Sequence, residues 1–270
     1  MKPLNYCRQL EKWLKRHPYG WLRQNVMPED AIEASLSVMR QGIKFSLPPG
    51  GMSVDLESGR EILSSLDELN MPYQDTVLEY SFDFEPDNPK NDGKVSVPKR
   101  ITAVSQLEGY LYVSCFWFYR HSSGLGYWQA VPTFRVHLGE MLANLARDEK
   151  MQYAMLRSSQ RCPIPREEIC EELAPVASFM AALACNNVSV SSIPAKGKGR
   201  KSALPYDDYH YLSVKTKGKS GSGEAMEGRS PREHTRRGHV RRYSSGNMTW
   251  IPHTIVNPGV GGKITKEYVL

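Results

Sequence analysis

A series of strand-forming segments in the first half of the chain constrains the fold most. The segments are rich in β-branched and aromatic residues and are separated by short turns or polar loops. They cover Thr76–Phe82, Ile101–Ser105, Gly109–Tyr119, Tyr127–Val131 and Thr133–Val136. Strands in direct succession favour an antiparallel meander, because a parallel neighbour needs a long crossover connection. We therefore predict an antiparallel sheet here.

Helical patterns flank this series. Apolar residues three and four positions apart predict helices over residues 3–16, from Glu29, over 53–69, over 138–155 and over 166–187. Pro175 lies inside the last of these and should kink or divide it. The pattern predicts an α+β fold, with N-terminal helices packed on an antiparallel sheet and a smaller, basic, β-rich C-terminal part.

The densest aromatic run lies between Tyr110 and Tyr119 and allows two interpretations. Exposed rings could form a platform on which nucleobases stack. Alternatively, the run is a buried central strand, which we favour because apolar side chains fall on both of its faces.

Charge divides the chain unevenly. Residues 191–270 contain 15 Lys and Arg against 6 Asp and Glu, or +9, so the overall +6 leaves −3 for the other 190 residues. We predict a helix-and-sheet body over residues 1–190 and a basic region over 191–270. The Gly/Ser/Lys-rich stretch 215–230 is expected to be a flexible insert. The asymmetry favours a polyanionic partner for the basic region.

An Arg/His-rich block dominates that region. Five arginines, two histidines and one tyrosine fall within residues 232–243, and a Ser/Gly/Asn break then leads to Met248–Ile251. Two extended segments joined in this way predict a β-hairpin. Alternation would place His239, Arg241 and Tyr243 on one face. The candidate nucleic-acid-binding residues are Lys198, Arg200, Lys201, Arg232, Arg236, Arg237, His239, Arg241, Arg242 and Tyr243.

The two histidines of the block suggest a second chemistry. His234 and His239 could act as general acid and base in metal-independent RNA cleavage. A straight strand separates them by about 16 Å, at roughly 3.3 Å per residue, so this reaction needs a bend at Gly238. We predict no catalytic residue otherwise, no metal site and no cofactor.

Cysteine usage bears on the compartment. The five cysteines form no CxxC pair and their number is odd, which disfavours a disulfide framework. The longest apolar run is too short for a membrane helix, and no N-terminal signal is evident. We expect a protein of the cytoplasm with no membrane partner.

Several short motifs resemble those of a group of uncharacterised tailed-phage and prophage proteins. The most specific is the block Arg-x-His-x-Arg-Arg-Gly-His-x-Arg-Arg at 232–242. The others are Asn-Asn-Val at 186–188, Lys-Gly-Arg-Lys at 198–201, Pro-Tyr-x-x-Tyr-His-x-Leu at 205–212, Trp-Ile at 250–251, the closing Gly-x-x-x-Lys-x-Tyr, and in the N-terminal half Pro72-Tyr73 with Thr76–Tyr80. The resemblance implies a phage or prophage origin and no particular reaction.

These observations favour a phage-encoded nucleic-acid-binding protein that contacts mainly the phosphate backbone of DNA or RNA. One alternative is a host-takeover protein whose basic face binds an acidic host protein. The other is the metal-independent ribonuclease.

Overall fold

The computed structural model describes residues 3–17, 22, 29–48, 70–81, 95–121, 125–137, 154–155, 166–193, 209–214, 234–236, 239–251 and 254–256. Within them the helices are α1 (Tyr6–Leu14), α2 (Glu29–Gln41) and α3 (Arg166–Leu183). The strands are β1 (Ile43–Ser46), β2 (Asp75–Tyr80), β3 (Val95–Leu107), β4 (Tyr110–His121), β5 (Gly126–His137), β6 (Ala154–Met155), β7 (Val188–Ile193), β8 (Tyr209–Val214), β9 (His234–Arg236), β10 (His239–Arg242), β11 (Met248–Ile251) and β12 (Thr254–Val256). The predicted α+β class is confirmed.

The predicted meander forms the larger part of an eight-stranded sheet. Strands β2 to β5 pair with their chain neighbours, each antiparallel to the last. Glu108 and Gly109 join β3 to β4 with φ angles of 52° and 78°. Left-handed backbone at both central positions matches the right-handed twist of paired strands, which is why two-residue hairpin turns adopt it. One continuous strand, β5, replaces the two short segments expected over 127–136.

The sheet is mixed rather than purely antiparallel. Its order is β6-β5-β4-β3-β2-β1-β8-β7, and β1 runs parallel to both β2 and β8. Residues 47–74 connect β1 to β2, and this connection is long enough for the crossover that two parallel strands require. The short β1 was not expected, because Lys44 and Ser46 are polar yet buried and therefore hide its strand pattern.

The sheet also crosses the predicted domain boundary. The division between residues 190 and 191 falls inside β7, which pairs antiparallel with β8. β8 in turn lies against β1, with Lys44 opposite Tyr209. Two strands at the start of the basic region are therefore part of the body's sheet.

Side-chain alternation assigns the helices to opposite faces of the sheet. Val77 belongs to a core cluster with Leu10 of α1 and Leu36 of α2. Its neighbour Leu78 belongs to a second cluster with Phe179 of α3. Successive strand residues point to opposite faces, so the arrangement is three-layered, with α1 and α2 on one face and α3 on the other.

The aromatic run lies in the middle of this sheet. β4 has β3 on one side and β5 on the other, and Phe116 is fully buried. The remaining aromatic side chains of the strand are half-buried. The interpretation as a buried central strand is confirmed.

Two helix predictions differ from the structure. Pro175 does not divide α3, whose apolar side chains on both sides of the proline are buried against the sheet, and the predicted kink remains a prediction. Ala154 and Met155, predicted to end a helix, pair with β5 as β6. The remaining predicted helical residues 53–69 and 138–153 lie outside the described residues, as does the insert 215–230.

A buried carboxylate joins distant parts of the chain. Glu79 of β2 accepts hydrogen bonds from the backbone N–H groups of Tyr6, at 3.0 Å, and Cys7, at 2.7 Å. These belong to the first turn of α1, whose N-cap residue Asn5 makes no side-chain capping bond. The hydroxyl of Tyr209 in β8 donates to the same carboxylate at 2.7 Å. Glu79 thus caps α1 from the sheet and ties it to β8.

Burial dominates the titration of this cluster. Loss of hydration raises the pKa of Glu79, although the hydrogen bonds from Cys7, Tyr209 and Tyr6 act in the opposite direction. Burial, reinforced by the Glu79 charge, also raises the pKa of the Cys7 thiol and of the Tyr209 hydroxyl. Both of these groups therefore remain protonated near neutral pH and can donate to Glu79.

We predict that Tyr209→Phe lowers the free energy of unfolding by about 1–3 kcal/mol, because a buried carboxylate loses a donor. Urea unfolding measures the change. Tyr211→Phe is the matched control, since Tyr211 is half-buried on the same strand and the described residues show no hydrogen bond to its hydroxyl. Equal effects of the two substitutions would contradict the assignment.

Glu79→Gln should change how stability depends on pH. A carboxyl whose folded-state pKa is raised stabilises the fold fully below its ordinary pKa of 4.5 and loses that contribution as pH rises through the raised value. The stability of the wild type relative to the variant should therefore fall as pH increases from about 4 to 8. Urea unfolding across that range tests this, and a relative stability that rises with pH would exclude it.

Candidate nucleic-acid interface

The predicted hairpin is present in the Arg/His-rich block. β10 and β11 pair antiparallel, with His239 opposite Ile251 and Arg242 opposite Met248. Tyr243 donates its backbone N–H to Asn247, and Gly246 donates back to Tyr243, both at 2.9 Å. We call β10, β11 and the connecting residues 243–247 the basic hairpin.

Glycine in this loop is required by backbone conformation. Gly246 has φ 81°, and nothing lies within 4 Å of the position that a Cβ would occupy. The left-handed backbone at Gly246 completes a three-residue turn over 244–246, enclosed by Tyr243 and Asn247. The Ser/Gly/Asn break in the sequence therefore reflects turn geometry, and it holds the two strands in register.

A second pair of strands continues the same register. β9 pairs antiparallel with β12, with Arg236 opposite Thr254. Two residues separate β9 from β10 along the chain, and two separate β11 from β12. Both pairs therefore have the same antiparallel register, with β9 and β10 along one arm of the pairing and β11 and β12 along the other.

This pairing bears on the ribonuclease hypothesis. His234 lies in β9 and His239 in β10, and these strands pair with β12 and β11 and not with each other. Gly238, where the reaction needs a bend, lies outside the described residues. The shared use of both histidines on one phosphate remains a prediction.

Arg241 and Tyr243 are brought together on the basic hairpin. Both side chains are exposed, and the guanidinium carbon of Arg241 lies 5.3 Å from the centre of the Tyr243 ring. This cation–π contact orients the guanidinium at little cost, because the charge remains in water. A cation and an aromatic face side by side can bind a phosphate and an adjoining base.

The hairpin is anchored to the end of α3. The backbone N–H of Asn186 donates to the carbonyl of Met248 at 2.9 Å, and its side-chain amide donates to Asn247 at 3.2 Å. Met248 also packs against the core cluster on the α3 face of the sheet. The start of β11, at the loop end of the basic hairpin, is therefore fixed to the body, while Arg241 and Tyr243 remain exposed.

The other candidate residues are placed less completely. Arg236 lies in β9, and His239 and Arg242 lie in β10, where the structure describes the backbone. Lys198, Arg200, Lys201, Arg232 and Arg237 fall outside the described residues. The structure brings Arg241 and Tyr243 into contact, as the predicted hairpin face implies.

Sequence reasoning missed how two of the quoted motifs meet. The segment around Glu79 and the segment around Tyr209 lie in different halves of the sequence, yet Glu79 and Tyr209 share a hydrogen bond. Tyr73 and His210, from the same two segments, lie with their ring centres 6.4 Å apart. A polar residue at a strand position, Glu79 among apolar neighbours, is the signal that could have indicated a buried partner.

Comparison with known proteins gives one partial match. A family model described as AcrVA2-like, anti-CRISPR type V subtype A2 family, matches residues 178–258. No curated protein and no solved structure matches the chain significantly. The match is to a phage-type family and agrees with the expected phage origin.

The matched segment coincides with the anchored hairpin and its supports. It begins within α3, includes Asn186, β7 and β8, and extends through β9 to β12. The similarity thus covers under a third of the chain and includes the candidate interface. In the described part of the chain, no helix is long and apolar enough to cross a bilayer.

Proposed function

We propose that this protein is a phage-encoded anti-CRISPR protein directed against a type V system, and that its basic hairpin binds nucleic acid. The observation that carries the proposal is the overlap between the family match at 178–258 and the anchored hairpin that exposes Arg241 beside Tyr243. The family name supports the biological role, and the chemistry of the hairpin supports the binding partner.

Charge and exposure favour contact with phosphate. A guanidinium offers a planar set of donors that match phosphate oxygens, and its charge persists at every physiological pH. Arg241 is exposed near the loop end of the hairpin, and the same end is fixed to α3 through Asn186, so a backbone phosphate can reach it without rearrangement of the sheet. Such contacts neutralise charge without reading bases, so we propose binding with little sequence preference.

Tyr243 adds a contact that charge alone cannot supply. Its ring is 42% exposed while already in contact with Arg241, which leaves aromatic surface for a stacked base. Stacking needs an unpaired base, so single-stranded segments are the better ligand for this pair.

Expression of the protein should protect a targeted plasmid in a host that carries an active type V CRISPR system. Transformation efficiency should rise toward that of an untargeted plasmid, and interference by a CRISPR system of another type should be unchanged. The variant with Arg236, Arg237, Arg241 and Arg242 replaced by alanine should protect less at equal expression. Undiminished interference with the wild-type protein present at detectable levels would overturn the role.

Filter binding should show direct retention of nucleic acid, with affinity that falls steeply as salt increases because phosphate contacts release counterions. Arg241→Ala should weaken binding and reduce the slope of log affinity against log salt concentration by about one. Arg16→Ala, at an exposed position after α1, is the control and should change neither.

Titrations with single- and double-stranded DNA and RNA locate the preferred ligand. Absence of retention at low salt would reject nucleic-acid binding and favour an acidic host protein as the partner of the hairpin.

A further inference from the structure

A cavity of about 500 Å³ lies between α2 and the sheet, away from the basic hairpin. Ala31, Ala34 and Val38 of α2 line one wall, and Leu107 and Tyr112 of the sheet line the other. Its volume falls within the range of small-molecule sites, and most of its lining is apolar.

Three hydroxyl groups from separate elements converge in this cavity. Ser35 of α2, Ser114 of β4 and Thr133 of β5 are all buried and all line it. Their oxygens lie 2.9–3.0 Å from one another. We call this group the hydroxyl trio.

The trio can accept more hydrogen bonds than it can donate. Three hydroxyls carry three hydrogens, whereas four contacts lie at hydrogen-bonding distance, because Ser35 also reaches the carbonyl of Ala31 at 2.8 Å. All three hydrogens can therefore be used within the protein, while each oxygen has two lone pairs. A partner that enters the cavity meets acceptors and must supply the donor.

The local backbone is irregular where the trio forms. The register between β4 and β5 shifts between Val113 and Cys115, the interval that contains Ser114. Bulges re-aim side chains and are frequent beside functional sites. The extra residue of this bulge lies on β5, where Pro132 and Thr133 together lie opposite Ser114, so the bulge affects the placement of Thr133 beside Ser114.

We propose that this cavity binds a small, uncharged amphipathic molecule whose hydroxyl group donates a hydrogen bond to the trio. The walls are mostly apolar, and the charged lining residue, Asp30, is exposed, so an ion beside the trio would lose its hydration without a buried charged partner. The apolar body of the ligand packs between α2 and Tyr112. The class of ligand is an alcohol or phenol.

Phenol and benzene are suitable probes, because they share a ring and differ in one hydroxyl. Ligand-observed NMR titrations of the full chain with each should give binding to both, with phenol about two- to tenfold tighter through one hydrogen bond. Equal affinities, or a failure of phenol to bind, would overturn the proposal.

Ala34→Trp should abolish binding of phenol, because Ala34 is exposed on α2 and lines the cavity, so a large side chain can block it without disturbing the core. Gln41→Trp, exposed on the same helix and outside the lining, is the matched control and should bind phenol like the wild type. Phenol binding that survives Ala34→Trp would place the ligand elsewhere and overturn the proposal.

Thr133→Val separates the hydroxyl contact from the cavity itself, because valine retains the shape of threonine and removes one oxygen. The preference for phenol over benzene should fall toward one, while benzene still binds. A preference that is unchanged would exclude the trio as the acceptor. The two tryptophan variants decide the location of the site even if this variant fails to fold.

Discussion

The fold depends on the carboxylate of Glu79, which lies where α1, β2 and β8 meet. An ionised carboxyl removed from water is costly, and it is retained only where donors surround it. Here the open N–H groups at the start of α1 and the hydroxyl of Tyr209 supply them. The carboxylate and the helix end therefore satisfy each other's hydrogen bonding, because the first turn of α1 has no capping side chain of its own.

A buried ion pair secures the opposite face of the sheet. Arg100 of β3 and Glu172 of α3 lie 3.1 Å apart, and the guanidinium rests 4.6 Å from the centre of the Trp117 ring. Removal of either charge would leave the other uncompensated in the core. α3 is thereby fixed to the sheet at its middle, and its C-terminal end holds the basic hairpin through Asn186. The position of Arg241 thus follows from contacts that begin deep in the core.

The sequence predicted the features that are encoded locally. The hairpin over 239–251 and the meander both follow from alternation and turn residues that lie close together in the chain. The insertion of β1 between β2 and β8 could not be predicted in this way, because Lys44 looks like a surface residue until its amine is seen to donate to the carbonyls of Arg40 and Gly42 at the end of α2. Contacts between residues far apart in the sequence could not be predicted either, including the hydrogen bond of Tyr209 to Glu79 and the hydroxyl trio.

At the candidate site, too, the local contact could be predicted from the sequence and the long-range contact could not. The contact of Arg241 with Tyr243 follows from strand alternation, so the sequence sufficed to place them on one face. The anchor at Asn186 did not follow, because the Asn-Asn pair indicated only the end of a helix. The amide of Asn186, just beyond the end of α3, holds Asn247 of the hairpin loop, and this contact appears only in three dimensions.

The extent of the family match has a structural consequence. Residues 178–258 contain β8 but not β1, its parallel neighbour, nor Glu79, the acceptor for Tyr209. Phe179, near the start of the match, packs against Phe45 of β1 at 4.8 Å between ring centres. An excised segment would expose an open strand edge and apolar side chains that the rest of the chain covers. The basic hairpin therefore needs the N-terminal body for its position, although the body carries none of the charge that would bind nucleic acid there.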